Sequence, residues 1–317
     1  MQVNRGTPTQ AEKPVALVIG NFDGVHLGHQ AMLSRLKETS KRLNLASCVM
    51  TFEPHPREFF APDQAPTRLT SLREKLELLA EYGVDQVQIC RFNYDFAKIG
   101  AKEFVAHILQ QGLAAQWVLV GDDFRFGARR AGDLAMLRSL SSSYGFEVEE
   151  MSTYNVDGIR VSSTAVRKAL SSDDLGLARR LLGRPYSISG KVVNGDKLGR
   201  RIGFPTANMQ LRHNRPPLSG IFAVEVRGAL DTSPQQVTRG VASLGVRPTV
   251  HEDGKPVLEV HLFDFNQEIY GQHLRMDFLH KLRDEEKYSD LDTLIRQIRL
   301  DVENAKKYFQ TSQSVTA

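Results

Sequence analysis

The chain has 317 residues, 41% of them hydrophobic and 25% charged, with a formal net charge of +4. That length suits two separate cores, and the composition is that of an ordinary globular protein. No apolar run approaches the roughly 18 residues of a membrane span, no apolar leader opens the chain, and the basic residues are dispersed. Membrane, secreted and nucleic-acid-binding readings are therefore disfavoured. A charge of this sign and a pI near 9.0 suit small polyanions such as nucleotides equally well.

Strand-like and helix-like segments alternate in the first half. The apolar run 15–19 predicts a buried strand, Gly20 to Gly24 a tight turn, and 31–43 a helix. The next segments are a strand at 46–52, a Pro-broken loop, a helix at 72–82 and a strand at 84–92. They are followed by a helix at 101–111, a strand at 117–121, a helix at 133–144 and a strand at 146–151. Segments 163–170 and 174–182 read as closing helices. Strands separated by helices of this length predict a doubly wound parallel sheet, whose ligands sit outside the carboxyl ends of the strands. Cys48 and Cys90, the only cysteines, fall in apolar strands and read as buried thiols in a reducing cytoplasm.

From about Gly183 the texture changes. Short β-rich runs at 186–193, 220–226, 239–244, 257–265 and 273–278 are separated by Gly and Pro turns, and only 291–309 returns to helical spacing. This predicts a small closed antiparallel β-barrel with a C-terminal helix. The expected domains are 13–183 and 184–309, with 1–12 and 310–317 as flexible termini.

Chemistry concentrates in a few motifs. In Gly20-Asn-Phe-Asp-Gly-Val-His-Leu-Gly-His29, two imidazoles three residues apart share one face of a helix's first turn, where backbone N–H groups already favour an anion. That pairing suits the phosphates of a nucleoside triphosphate; two ordinary surface histidines are the alternative. Gly121-Asp-Asp-Phe-Arg-Phe-Gly127 follows a strand and could sandwich a planar ligand, or its phenylalanines could pack inward. Arg160-Val-Ser-Ser-Thr-Ala-Val-Arg167 offers hydroxyls and guanidinium groups to phosphate, or simply caps a helix. In the second half, the loop Gly190 to Asn208 is glycine-rich and ends in Thr206 and Asn208, whose oxygens suit Mg²⁺; an ordinary hairpin loop is the alternative. In Val257 to Phe265, alternation puts Leu258, Val260 and Leu262 on one face and Glu259, His261 and Phe263 on the other. Glu259 is a general-base candidate if that face lines a pocket, and merely solvated if it faces water.

In this order, and with Gly203-Phe-Pro-Thr-Ala-Asn208, Gly245-Val-Arg-Pro-Thr249 and Leu282-Arg-Asp-Glu285, the motifs resemble those of bacterial bifunctional riboflavin kinase/FMN adenylyltransferases (FAD synthetases). The resemblance covers residues 13 to 309. It implies a Rossmann-like N-terminal adenylyltransferase and a six-stranded C-terminal kinase barrel, with ATP and Mg²⁺ as co-substrate and cofactor and riboflavin, FMN and FAD as substrate and products. At the adenylyltransferase, Gly20, Phe22, Asp23, Gly24, His26, His29, Arg160, Ser163, Thr164 and Arg167 would hold ATP, the two histidines stabilising charge as pyrophosphate leaves. Asp123, Phe124, Phe126 and Arg130 would hold flavin there, and Arg283 would lie by the flavin of the kinase. Kinase ATP would meet Gly190, Lys191, Gly203, Phe204, Pro205, Thr206 and Asn208. Thr206 and Asn208 would sit near the metal, with Glu259 deprotonating the terminal ribityl hydroxyl. The resemblance implies small-molecule partners only, no nucleic acid and no membrane. The oligomeric state stays open.

Overall fold

The computed structural model describes residues 1–195, 198–211, 215–230, 236–246 and 256–314. Asp196 and Lys197 of the Gly-rich loop, Arg247 to Thr249 of the barrel motif and the last three residues lie outside the described residues. The chain divides into two compact units, Met1–Pro66 with Leu72–Ser163, and Thr67–Ser71 with Thr164–Ala317. By internal contacts the first unit ends at Ser163, twenty residues before the expected domain boundary at 183/184.

The first unit is built on six parallel strands: β1 (Gln2–Arg5), β2 (Val15–Ile19), β3 (Ala46–Glu53), β4 (Gln86–Arg91), β5 (Ala115–Gly121) and β6 (Glu147–Met151), in the order β1-β4-β3-β2-β5-β6. Helices α1 (Leu27–Leu43), α2 (Pro56–Phe60), α3 (Leu72–Glu81), α4 (Tyr94–Lys98), α5 (Ala101–Glu103) and α6 (Leu134–Tyr144) connect them. The two-residue period of β2 explains the layering. Val15, Leu17 and Ile19 point into a core with Phe104, Ile108 and Leu137, whereas Ala16 and Val18 point into one with Leu33 and Leu36 of α1 and Leu79 of α3. The helix expected at 101–111 is α5 continued by a π-helical stretch, Phe104–Gly112. Residues 2–5, expected in a flexible terminus, form the edge strand β1 on β4. β2 is followed in the chain by β3 on one side and, later, β5 on the other. The topological switch point thus lies between β2 and β5, where such sheets open a crevice at the strands' carboxyl ends. A short hairpin, β7 (Asn155–Val156) and β8 (Ile159–Arg160), turns at Asp157-Gly158 with both residues at positive φ, as an Asp-Gly two-residue turn requires.

The second unit begins with α7 (Ser163–Ser171) and α8 (Leu175–Leu182). β9 (Tyr186–Val193), α9 (Leu198–Arg201), β10 (Ala207–Gln210), β11 (Gly220–Arg227), β12 (Thr238–Val246), β13 (Pro256–Leu262) and β14 (His273–Arg283) follow, and α10 (Leu291–Ser314) ends it. The six strands close an antiparallel barrel in the order β10-β13-β12-β11-β14-β9. Its interior is packed with apolar side chains, including Ile188, Phe222, Val224, Leu258, Val260, Met276 and Phe278, each 1% exposed or less. The opposite face of β11 and β12 carries Ile221, Ala223 and Val241, which Ala305 and Phe309 of α10 cover. That helix runs to Ser314, past the tail expected from residue 310.

Cys48 and Cys90 are free and buried, and burial pushes both thiols up to about 12. Because the thiolate is the reactive form, a thiol reagent at pH 8 should label neither cysteine in the folded protein and both after unfolding. Counting the modified sites by mass checks this.

Candidate active sites

The turn between β2 and α1 places the first site at the switch point. His26 is the N-cap of α1; its Nδ1 accepts from the His29 backbone N–H at 3.3 Å. The two imidazoles stack, ring centroids 3.7 Å apart and 14° from parallel, and Phe22 packs on His29 at 4.8 Å. Phe22 (φ 50°) and Val25 (φ 39°) are left-handed and fully buried, which identifies the turn as a strained segment held by its surroundings. Thr51 Oγ1, at the carboxyl end of β3, donates to the Asn21 carbonyl at 3.2 Å, and Ser163 Oγ donates to that of Asp23 at 2.9 Å. Thus Gly20, Phe22, Asp23, Gly24, His26, His29 and Ser163 are brought together. Thr164 and Arg167 fall in the second unit, where Arg167 donates to the Thr67 carbonyl.

The loop after β5 lies at the same carboxyl edge. Arg160 Nη2, expected on ATP, pairs with Asp122 at 3.3 Å and with Asp123, expected on flavin, at 3.6 Å. Phe124 and Phe126 stack with centroids 5.4 Å apart, but they do not form two sides of a slot. Phe126 is 5% exposed, packs on Phe104 and bridges to Gly132, so it supports half-buried Phe124 from within the core. The inward alternative is correct for that residue, because the bridge at Gly132 turns the chain back over the core. Arg130 stays exposed, at φ 58°.

The sequence predicts a loop for the Pro-broken stretch after β3. There Phe52, Phe59, Phe60, Phe92, Tyr94 and Phe96 form a linked aromatic cluster beside the carboxyl ends of β3 and β4. Phe60 is 65% and Tyr94 73% exposed. The signal available in the sequence was an unusual density of aromatics in a segment too polar and Pro-rich to be core.

The second site lies on the outer face of the barrel. Strand register aligns one residue from each of five neighbouring strands: Asn208 opposite Glu259, Glu259 opposite Ser243, Ser243 opposite Ile221, and Ile221 opposite Arg283. Adjacent strands lie about 4.8 Å apart, so the row is a continuous stripe of polar, apolar and cationic groups. All five line a cavity of about 540 Å³, which Phe204, Thr206, His261 and Tyr288 also border. That volume is in the range of small-molecule sites. His261 Nδ1 is 2.9 Å from the Pro205 carbonyl, and its ring meets Phe204 edge-on, tying the 204–206 segment to β13.

Four expected contacts, Gly190, Lys191, Gly203 and Pro205, are not among the residues that border the cavity. Gly190 and Lys191 are on β9 and do not border the cavity. Gly190 is there because a Cβ would meet the Gln210 carbonyl at 2.7 Å across the β9–β10 pair. Gly203 is exposed at the tip of its turn. Arg283 does border the cavity, with three of its five N–H donors engaged within the protein: Nε and Nη2 donate to Asp301 at 2.9 and 2.7 Å, and Nη1 to the Asp284 carbonyl at 2.8 Å.

The first unit thus presents an imidazole pair at the switch point of a parallel α/β sheet, and the second a carboxylate in a cavity on the outer wall of a core-filled barrel. Family models described as FAD synthetase and riboflavin kinase match residues 8–165 and 182–309. Relatives named bifunctional riboflavin kinase/FMN adenylyltransferase include one from Escherichia coli (strain K12), 47% identical over 98% of both chains. Another, from Pseudomonas fluorescens, is 49% identical over 91% of both. A crystal structure described as a macrolide-efflux protein from Streptococcus pneumoniae superposes with a TM-score of 0.78 at 28% identity, covering 95% of this chain and 97% of that one. The chain belongs to the bifunctional riboflavin kinase/FMN adenylyltransferase family. No helix among the described residues is long and apolar enough to cross a membrane.

Proposed function

We propose that the chain makes both flavin nucleotides in succession, each at one of the two sites. Riboflavin and ATP give FMN and ADP at the barrel cavity, and FMN with a second ATP gives FAD and pyrophosphate at the β2–α1 turn. The observation that carries the kinase assignment is the Asn208–Glu259–Ser243 register on the cavity wall. It sets a carboxylate one strand away from an amide oxygen, so a hydroxyl activated by Glu259 would meet phosphate held near Asn208. Glu259 takes the proton of the terminal ribityl hydroxyl as its oxygen attacks the γ-phosphorus, and ADP leaves. Such transfers depend mainly on positioning and charge neutralisation.

Thr206 and Asn208 offer neutral oxygen donors of the kind Mg²⁺ accepts when phosphates complete its shell, and Gly199 leaves space beside Thr206. Mg²⁺ brought with ATP would be held there and would neutralise phosphate charge. A Cβ on Gly199 would lie 2.4 Å from the Phe204 carbonyl and 3.1 Å from Thr206 Oγ1. Gly199→Ala should therefore lower FMN formation about tenfold, the scale of an approximately 1.4 kcal/mol displacement, and leave FAD formation from supplied FMN unchanged.

At the adenylyltransferase the nucleophile is the FMN phosphate, already anionic, so no strong base is needed. His26 and His29 stabilise the charge that develops as the bond to pyrophosphate breaks, and Ser163 braces the turn that carries them. Exposed Phe60 and Tyr94 and half-buried Phe124 offer aromatic surface to a flavin ring at this edge. Asp123 adjoins Phe124 in the chain, and its pairing with Arg160 at 3.6 Å orients the guanidinium. Two free buried thiols support a reducing cytoplasm as the place of work, and the dispersed charge supports small molecules as the only partners.

The reading is tested by supplying each substrate separately with ATP. Riboflavin should yield FMN only when Mg²⁺ is present, and FMN should yield FAD with one pyrophosphate each. FMN formation that survives complete chelation would remove the metal role given to Thr206 and Asn208.

A further inference from the structure

Arg283 gives two of its N–H donors to one group, Asp301, the carboxylate of α10 that is 4% exposed, and a third to the Asp284 carbonyl. A bidentate pair fixes the guanidinium in plane and in rotation, which a single contact would not do. Gln297 Nε2 adds a donor to Asp301 Oδ1 at 3.0 Å, so the acceptor is itself held by the helix. Withdrawing a carboxylate from water is costly, and packing alone would be served as well by an apolar residue of similar size.

The position of the pair suggests what it controls. Arg283 ends β14, and the segment that leaves it, 284–288, forms one wall of the cavity through Glu285, Glu286, Lys287 and Tyr288. Each link in this wall starts at or beside the pair. Arg283 Nη1 holds the Asp284 carbonyl at 2.8 Å, its guanidinium lies 5.8 Å from the Tyr288 ring, and Lys281 reaches the Asp284 carboxylate at 2.5 Å. Glu285 Oε1 accepts from Ser243 Oγ at 2.9 Å, and Ser243 is the register partner of Glu259. Glu285 also fills the space that Gly245 leaves: a Cβ there would be 1.5 Å from its carboxylate oxygen. The wall is therefore connected from α10 to the strand residue beside the proposed base.

We infer that Asp301 is a positioning residue of the kinase site. Through Arg283 it sets the place of segment 284–288, and with it the fit of the flavin substrate against the cavity. Arg283 then serves the flavin by fixing the wall rather than by lending its charge. This inference rests on the assignment of riboflavin phosphorylation to the cavity.

The test compares Asp301→Asn, Asp301→Glu and wild type in steady-state phosphorylation of riboflavin, with FAD formation from supplied FMN and thermal unfolding measured on the same samples. Asp301→Asn keeps the size and loses the bidentate charge. It should raise KM for riboflavin about ten- to a hundredfold, the scale of an ångström-class misplacement, with a much smaller change in kcat and in KM for ATP. Asp301→Glu should recover part of the loss, and FAD formation from FMN should be unaffected. Wild-type KM in Asp301→Asn, or a fall in kcat that only tracks a smaller folded fraction, overturns the inference. If wild type itself makes no FMN from riboflavin, the assignment of the cavity fails instead.

Discussion

Glu259→Gln should lower riboflavin phosphorylation about 10²- to 10⁴-fold in kcat, the usual contribution of a positioned general base. The substitution keeps the shape of the side chain and its place between Asn208 and Ser243 on the outer face of β13. It removes only the capacity to take a proton. KM for riboflavin and for ATP should therefore change little, whereas a loss of binding would raise both. FAD formation from supplied FMN should stay at the wild-type rate, because the FAD synthetase match spans residues 8–165 and does not include Glu259. Steady-state assays of the two half-reactions on one preparation decide this. A variant that keeps more than a tenth of its phosphorylation rate would show that Glu259 is not the base.

Substitution of His26 should give the mirror image: FAD formation falls about 10²- to 10³-fold, as when one transition-state donor is removed, and FMN formation persists. Alanine alone is a blunt test. His26 is the N-cap of α1, and losing a cap costs about 0.5–2 kcal/mol of stability. Asparagine is among the best N-caps and cannot carry the imidazole's charge. His26→Asn should thus melt near wild type yet remain as inactive in FAD formation as His26→Ala. Recovery of the activity in His26→Asn would reduce His26 to a structural cap. The stacking of His26 on His29 at 3.7 Å predicts that the two do not act independently. The double variant should lose little more than either single one.

Much of this arrangement was legible in the sequence because it depends on local pattern. The apolar run before Gly20, the imidazole spacing and the helical period after it suffice to place two histidines at a strand-to-helix turn. The alternation in Val257 to Phe265 likewise separates Glu259 from Leu258 and Val260. What alternation cannot say is which face looks inward. The barrel closes with the apolar face inside, so the ligand cavity is on the outer wall, and only long-range register aligns Asn208, Ser243 and Arg283 with Glu259. The same limit applies to Arg283, whose partner Asp301 lies 18 residues away across a loop. Phe126 and Phe124 are two residues apart, yet the pairing of Phe126 with Gly132 decides which is core. β1 was missed for another reason: Gln-Val-Asn-Arg has no apolar run, and pairing with β4 alone makes it a strand.

The most direct test of two activities in one chain is a chromatographic time course of the purified protein with riboflavin, ATP and Mg²⁺. FMN should appear first and then decline as FAD accumulates, with two ATP consumed for each FAD. FMN that accumulates without FAD, or riboflavin left unconverted while added FMN is still adenylylated, would contradict the account.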